Sequence, residues 1–154
     1  MSRDESNVYR TFVLTDIVGS TRLWRDHRAE MAASLRKHDD LVGILSAVHK
    51  GHLVRTKGEG DSTFTAFRSP ADAIQYVVEL QRRIQAENWP PETPIKVRFG
   101  VHSGMAEERD GDYYGTTINL TARLRAMGHP GQIIVSSDAK KAWDDSGASG
   151  ISWK

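Results

Sequence analysis

Cysteine is absent from this sequence of 154 residues. Disulfide bonds and thiolate metal sites are therefore excluded, and the composition is compatible with a reducing compartment. An excess of one sign of charge is absent too, because 21 Lys and Arg residues balance 20 Asp and Glu residues. With a formal net charge of +1, the chain has no global field that would attract nucleic acid or an acidic membrane.

Long apolar runs are missing as well. No stretch approaches the length of a membrane span, and the polar start MSRDESN is not a signal peptide. We therefore expect a cytoplasmic protein with no membrane partner and no nucleic-acid partner. The length suits one domain, which we place at residues 8–154 after a flexible N-terminus at residues 1–7. The final ISWK resembles the start of a strand, so we expect a domain truncated at its C-terminal end.

Hydrophobic periodicity divides the chain into strands and helices. The predicted strands are YRTFVLT, HLVRT, STFTAF, IKVRFGVHSG and GQIIVS, with a further strand and turn in MAEERDGDYYG. A long helical stretch with a break near RDHRAE runs to His49. A second long helix opens with Ser69 as N-cap and Pro70 in its first turn. The segments TTINLTARLRAM and SDAKKAW are predicted to be shorter helices.

The order of these elements is βαββαβ, followed by additional C-terminal elements. This order predicts a ferredoxin-like α+β sandwich. Its sheet should be mostly antiparallel with the first strand in the centre, and both long helices should lie on one face. The other face would be free for a ligand or a second subunit. In TTINLTARLRAM, we expect Leu120, Leu124 and Met127 to form one apolar face.

Two aspartates are candidates for a cation site. Asp16 ends the first predicted strand, and Asp61 begins the second strand of a predicted hairpin. In a ferredoxin-like sheet the two can converge, and paired carboxylates suit Mg²⁺ or Mn²⁺. The alternative is two unrelated turn aspartates, and spacing alone does not decide between them. After Asp16, Ser20 or Thr21 can cap a helix whose first amides can bind phosphate oxygens.

A second set of polar residues can act on an anion. Asn119 and Arg123 share one helix face, which we predict to be opposite the apolar face of Leu120, Leu124 and Met127 (the leucine face). Together, an asparagine and an arginine suit binding of a phosphoryl group. The alternative is an ordinary solvated face. Lys57 can form a surface ion pair with Glu59 or Asp61, or it can donate to a substrate.

Three other residues that could carry chemistry receive no catalytic role. We interpret Tyr113 and Tyr114 as packing or interface residues, and His102 as structural.

Taken together, TFVLTDIVGSTRLW, TKGEGDSTFTAF, VRFGVHSG, DYYGTTINLTARL and GQIIVS resemble, in that order, a class III nucleotidyl cyclase catalytic domain of the bacterial adenylate cyclase type. The resemblance implies ATP as substrate and two divalent cations, Mg²⁺ or Mn²⁺, as cofactors. It assigns Asp16, Asp61 and the carbonyl of Ile17 to the metals. It assigns Asn119 and Arg123 to the ribose and the reacting phosphate.

The same resemblance assigns recognition of the substrate. Lys57 would donate to adenine N1, and Asp112 would accept from the exocyclic amine. Guanine has the reverse pattern, so this pair favours ATP over GTP. The amides of Gly19, Ser20 and Thr21 would hold the terminal phosphates.

The resemblance also implies a homodimer with two shared sites, in which the hairpin carrying Lys57 and Asp61 serves both. Cyclisation would yield 3′,5′-cyclic AMP and pyrophosphate. Three alternatives are a non-catalytic nucleotide-binding domain of this type, a guanylate cyclase, and a ferredoxin-like nucleic-acid-binding module. The strand from Lys96 to Gly100 lacks the exposed aromatic residues that are typical of such a nucleic-acid-binding module.

Overall fold

Six strands and five helices form the part of the chain that the computed structural model describes, residues 6–54 and 61–154. The strands are β1 (Asn7–Ile17), β2 (His52–Leu53), β3 (Ser62–Phe67), β4 (Val97–Arg109), β5 (Asp112–Tyr114) and β6 (Ile133–Val135). The helices are α1 (Ser20–Asp26), α2 (Arg28–Val48), α3 (Pro70–Ala86), α4 (Thr116–Met127) and α5 (Ser137–Asp145).

The sheet has β1 at its centre, as the sequence predicts. The strand order is β2-β3-β1-β4-β5, and β6 pairs with β4. All pairs are antiparallel except β4 with β6, which is parallel. The chain from β1 to β4 follows the βαββαβ order, which confirms the predicted ferredoxin-like α+β sandwich. A central strand is covered on both faces, which explains the near-continuous apolar run in YRTFVLT.

One face of the sheet packs against both long helices, which confirms that prediction. Val13 of β1 and Phe99 of β4 form a buried core with Leu45 of α2 and Val77 of α3. The alternation in β4 works as predicted, because every second residue from Val97 to Val101 points into this core.

The start of α3 is also as predicted. Ser69 is its N-cap and accepts a hydrogen bond from the amide of Asp72 at 3.2 Å, while Pro70 occupies the first turn.

The opposite face is partly covered, so the prediction of a free face is too simple. A second core forms there around Phe12, Phe64 and Tyr113, and α4 contributes Ile118 to it. The helix lies close on β4 because β4 has glycines at the crossing. A Cβ on Gly100 would lie 2.5 Å from the Thr121 carbonyl oxygen. No larger residue could occupy that position without moving α4.

The apolar face predicted for α4 is not the buried one. Its buried residues are Thr117, Ile118 and Thr121, whereas Leu120 is 43% exposed and Met127 is 70% exposed. Contact with strand glycines requires small residues beneath the helix, and the threonines provide them. Both threonine hydroxyls donate to backbone carbonyls. That of Thr117 donates to the Met105 carbonyl at 2.6 Å, and that of Thr121 donates to the Thr117 carbonyl at 2.7 Å.

The ends of some elements differ from expectation. Gly19, not Ser20 or Thr21, occupies the N-cap position of α1, with a left-handed φ of 70° that favours glycine. The break predicted near RDHRAE falls at His27, between α1 and α2. The last four residues form no strand, and Trp153 instead packs on Trp143 with ring centroids 6.1 Å apart.

Two further expectations concern the chain as a whole. Most of the predicted flexible N-terminus lies outside the described residues, and β1 already begins at Asn7. Among the helices that the structure describes, none combines the length and apolar character needed to cross a membrane.

Candidate functional site

Asp16 and Asp61 both belong to one end of the β1–β3 pair. Asp16 lies opposite Ser62 across the strands, and Asp61 is the residue just before Ser62. The antiparallel register therefore brings the two backbones together at this sheet edge. The side chain of Asp61 accepts a hydrogen bond from the hydroxyl of Ser20, the first residue of α1. Ser20 thus positions the loop carboxylate rather than capping its own helix.

Arg98 of β4 holds the carboxylate of Asp16 from the other side. The two residues are directly opposed in the β1–β4 register. Arg98 Nε donates to Asp16 Oδ1 at 2.9 Å, and Nη2 donates to Oδ2 at 2.6 Å. This bidentate geometry is the strongest form of an arginine–carboxylate interaction. The hydrogen bonds to Asp16 raise the pKa of Arg98.

A second guanidinium reaches Asp16 from α4. Arg125 Nε lies 3.6 Å from Asp16 Oδ2, and Arg125 Nη1 donates to the carbonyl of Thr15 at 3.3 Å. The close approach of α4 at Gly100 makes this reach possible, since a Cβ there would lie 2.6 Å from the amide nitrogen of Arg125. The Asp16 side chain is 17% exposed, and that of Arg125 is 20% exposed.

Neither arginine was predicted from the sequence to belong to the site. Arg98 is the second residue of β4, and in the alternating pattern of that strand it resembles any other outward-facing polar residue. No local signal identifies Arg125, because its position depends on how α4 packs.

Asn119 and Arg123 lie on the side of α4 away from the sheet. Both are exposed. At 3.6 residues per turn, Arg123 is about 160° and Asn119 about 120° around the helix from Arg125. They therefore neighbour Leu120 on the outer surface, so the prediction that they lie opposite the leucine face is wrong. Within one chain, Arg123 points away from Asp16 while Arg125 points towards it.

Of the two residues predicted to recognise adenine, the structure describes only Asp112. Asp112 begins β5, is buried, and accepts a hydrogen bond from the amide of Tyr113 at 2.7 Å. Tyr113 packs against Phe12 with ring centroids 5.3 Å apart, which confirms its packing role. Lys57 and Glu59 lie outside the described residues.

The structure places the remaining predicted residues around the start of α1. Ile17 ends β1, and its side chain is buried. The amide of Val18 donates to the Lys96 carbonyl at 2.9 Å, which ties this turn to the start of β4. Gly19 forms the N-cap, and Ser20 and Thr21 open the helix.

His102 supports the fold at a distance from Asp16 along β4. Its Nδ1 lies 2.7 Å from the hydroxyl of Ser136, which also accepts the Ala139 amide as the N-cap of α5. Burial lowers the pKa of His102, and Asp138 opposes this in part. The contact fits the structural interpretation made from the sequence.

The carboxylates of Asp16 and Asp61 suit a hard divalent cation whose remaining ligands are water or substrate oxygens. Asp16 and Asp61 supply carboxylate oxygens, which Mg²⁺ and Mn²⁺ prefer. In residues 6–54 and 61–154, no group of three or more His, Cys, Asp or Glu side chains could hold a metal ion. Two carboxylates are nevertheless a usual protein contribution where substrate phosphates and water complete the coordination.

Comparisons with known proteins give matches over most of the chain. Residues 4–150 match the family described as the adenylate and guanylate cyclase catalytic domain. An uncharacterized protein of Mycobacterium tuberculosis is 37% identical over 127 residues, which cover 82% of this chain and 42% of that protein. An adenylate cyclase of Neurospora crassa is 30% identical over 153 residues, covering 82% of this chain and 7% of that protein.

The fold of the chain also matches solved structures of cyclases. The structure of an adenylate cyclase from Trypanosoma brucei in its monomeric state matches with a TM-score of 0.80 and 26% identity, covering 87% of this chain and 75% of that one. The chain spans less than half the length of both curated relatives.

Proposed function

Because the chain belongs to the adenylate and guanylate cyclase catalytic domain family, we propose that it is an adenylate cyclase. It converts ATP into 3′,5′-cyclic AMP and pyrophosphate. The observation that carries this proposal is the position of Asp16 and Asp61 at one end of the β1–β3 pair. Cyclase domains of class III generally use divalent metal ions, and these two carboxylates are the donors that such ions need.

The chain's residues have distinct tasks in this proposal. Asp16, Asp61 and the carbonyl of Ile17 would hold the cations. When bound, the cations would favour release of the ribose 3′-hydroxyl proton to water and would offset the charge of the phosphates. The 3′-oxygen attacks the α-phosphorus, and the bond from that phosphorus to the leaving pyrophosphate breaks. Arg123 stabilises the charge that develops on the α-phosphate, and Asn119 orients the ribose.

The active unit in this proposal is a homodimer with two shared sites. Arg123 lies on the outer side of α4, whereas Asp16 lies beneath the inner side. For Arg123 to act on a phosphate held near Asp16, it must therefore come from a second copy of the chain. The exposed Leu120 and Met127 beside Arg123 are apolar residues that such a copy could cover.

Recognition of adenine is assigned to Lys57 and Asp112. Asp112 is buried, and a buried carboxylate can distinguish an exocyclic amine from a carbonyl, because a mismatched buried polar group is costly. The amides of Gly19, Ser20 and Thr21 are proposed to hold the terminal phosphates. These assignments predict preference for ATP over GTP.

The second candidate function is nucleotide binding without turnover. It is favoured by one observation, the ion pair between Asp16 and Arg98, which occupies a proposed metal ligand. In such a protein the nucleotide would bind, and no cyclic product would form.

Product formation separates the candidates. We would incubate the chain with ATP or GTP and Mn²⁺ or Mg²⁺ over a range of protein concentrations, and quantify both cyclic nucleotides. The proposal predicts cyclic AMP from ATP, with a yield per chain that rises with protein concentration. Cyclic GMP as the main product would indicate a guanylate cyclase. Nucleotide binding with no product at concentrations where the dimer is present would support the second candidate.

A further inference from the structure

Arg125 is a second guanidinium at the carboxylate to which the cation is proposed to bind. We propose that Arg125 competes with the divalent cation for Asp16, and so keeps metal affinity low until an anionic nucleotide enters the site. Metal and nucleotide would then bind synergistically. This inference rests on the proposed function, because it takes Asp16 as a metal ligand.

The charges of the described side chains support this competition. Asp16 carries one negative charge, and Arg98 and Arg125 carry two positive charges within 4 Å of it. Including Asp61, the group of four is neutral. Two carboxylates alone would attract a divalent cation, but here two cationic groups oppose its approach. The phosphates of a nucleotide would bring the negative charge that compensates both guanidiniums and the metal.

Arg98 and Arg125 differ in how strongly they bind the carboxylate of Asp16. Arg98 makes two short hydrogen bonds to Asp16. Arg125 Nε is 3.6 Å from Asp16 Oδ2, beyond hydrogen-bond distance, and it is a buried donor with no hydrogen-bond partner among the described residues. An unsatisfied buried donor is unfavourable. Arg125 is therefore the group that is more easily displaced.

The position of Arg125 is linked to that of the catalytic pair. It lies on α4, which also carries Asn119 and Arg123. Its backbone is fixed over Gly100 of β4, so displacement of Arg125 from Asp16 requires only a side-chain movement. The rest of α4 would remain in place with its outer residues available to a second copy.

Direct measurement of metal binding tests this competition without relying on activity. We would titrate the full chain with Mn²⁺ in the absence of nucleotide and follow free Mn²⁺ by electron paramagnetic resonance. Arg125→Gln should bind Mn²⁺ about ten-fold more tightly than the wild type, because one opposing charge is removed. Arg125→Lys, which keeps the charge, should stay close to the wild type.

A matched control is Arg82→Gln. Arg82 is exposed on α3, which packs on the opposite face of the sheet, and its substitution changes the net charge equally. Mn²⁺ affinity should not change in this variant. An equal gain for Arg82→Gln and Arg125→Gln would overturn the local role of Arg125.

Asp16→Ala separates this inference from the proposed function. If Asp16→Ala binds Mn²⁺ as tightly as the wild type, the proposed metal site is wrong. If Asp16→Ala loses Mn²⁺ but Arg125→Gln matches the wild type, only the competition is wrong. A non-hydrolysable ATP analogue should increase Mn²⁺ affinity more in the wild type than in Arg125→Gln, and equal increases would also overturn the competition.

The unsubstituted chain provides a test that does not depend on the variants folding. The ¹⁵Nε–H resonance of Arg125 should shift when Mg²⁺ and the analogue are added together. No shift on saturation would contradict displacement of this side chain.

Discussion

At the scale of single residues, His102 is a buried histidine whose surroundings favour the neutral ring. Burial lowers the pKa of His102 in the folded state, whereas an unfolded chain has an ordinary histidine pKa of about 6.5. As the pH falls through about 6.5, the unfolded chain therefore takes up a proton more readily than the folded one. His102 therefore contributes a decrease in the free energy of unfolding as the pH falls through that range.

Substitution of His102 should remove part of this acid sensitivity. Asn can keep a polar group near Ser136 and cannot be protonated. Between pH 7.5 and 5.5, the melting temperature of His102→Asn should fall less than that of the wild type. The exposed His129 supplies the control, since His129→Asn should follow the wild-type profile. Equal pH dependence in all three proteins would exclude His102 as the cause.

Residues of the candidate site were predictable to different extents. For Asp16 and Asp61, the predicted sheet order allowed the two strand ends to meet, but spacing alone left open whether they pair, and only the family resemblance assigned both to a metal. Arg98 was not identified because it meets Asp16 across 82 residues of sequence, and only the strand register reveals that contact. Arg125 requires one more level of information, namely the packing of α4 on the sheet.

At the scale of elements, the contact between α4 and β4 determines the geometry of the site. Gly100 allows the helix backbone to touch the strand, and this closeness lets Arg125 reach Asp16. It also turns Asn119 and Arg123 outward. A change that lifts α4 from β4 should therefore affect stability and catalysis together.

Gly100→Ala tests this contact. The added Cβ would lie within 2.6 Å of two backbone atoms of α4, and backbone cannot move aside as a flexible side chain can. Overpacking of this kind should cost about 1–3 kcal/mol of unfolding free energy.

Gly43→Ala is the matched control for Gly100→Ala. Gly43 lies within α2, and nothing lies within 4 Å of its added Cβ. The better helix propensity of alanine should stabilise this variant by about 0.5–1 kcal/mol. Urea unfolding measures both changes. A Gly100→Ala protein as stable as the wild type would contradict the close contact.

Elements with strong local signals were predicted well, and α4 shows why others were not. The start of α3 was identified because Ser69 and Pro70 provide a cap and a first turn without help from other parts of the chain. In α4, the hydrophobic pattern favoured Leu120, Leu124 and Met127 as one apolar face. The buried side is instead set by the glycines of β4, which accept Thr117 and Thr121. Such a partner surface cannot be read from the helix's own sequence.

At the scale of the whole molecule, the proposed cyclase mechanism requires two copies of the chain for one site. Asp16 and Asp61 lie at one sheet edge, and Arg123 lies on the outer side of α4. A single copy holds all these residues without directing Arg123 towards Asp16. A homodimer related by two-fold symmetry would place two such sites in one assembly.

The most direct test of this claim is complementation between two inactive variants. Asp16→Ala and Arg123→Ala chains are mixed, heterodimer formation is verified by native mass spectrometry, and cyclic AMP is measured. Each variant alone should be inactive, and an equal mixture should recover about a quarter of wild-type activity, because half the dimers carry one intact site. A mixture that contains heterodimers but forms no cyclic AMP would contradict the shared site.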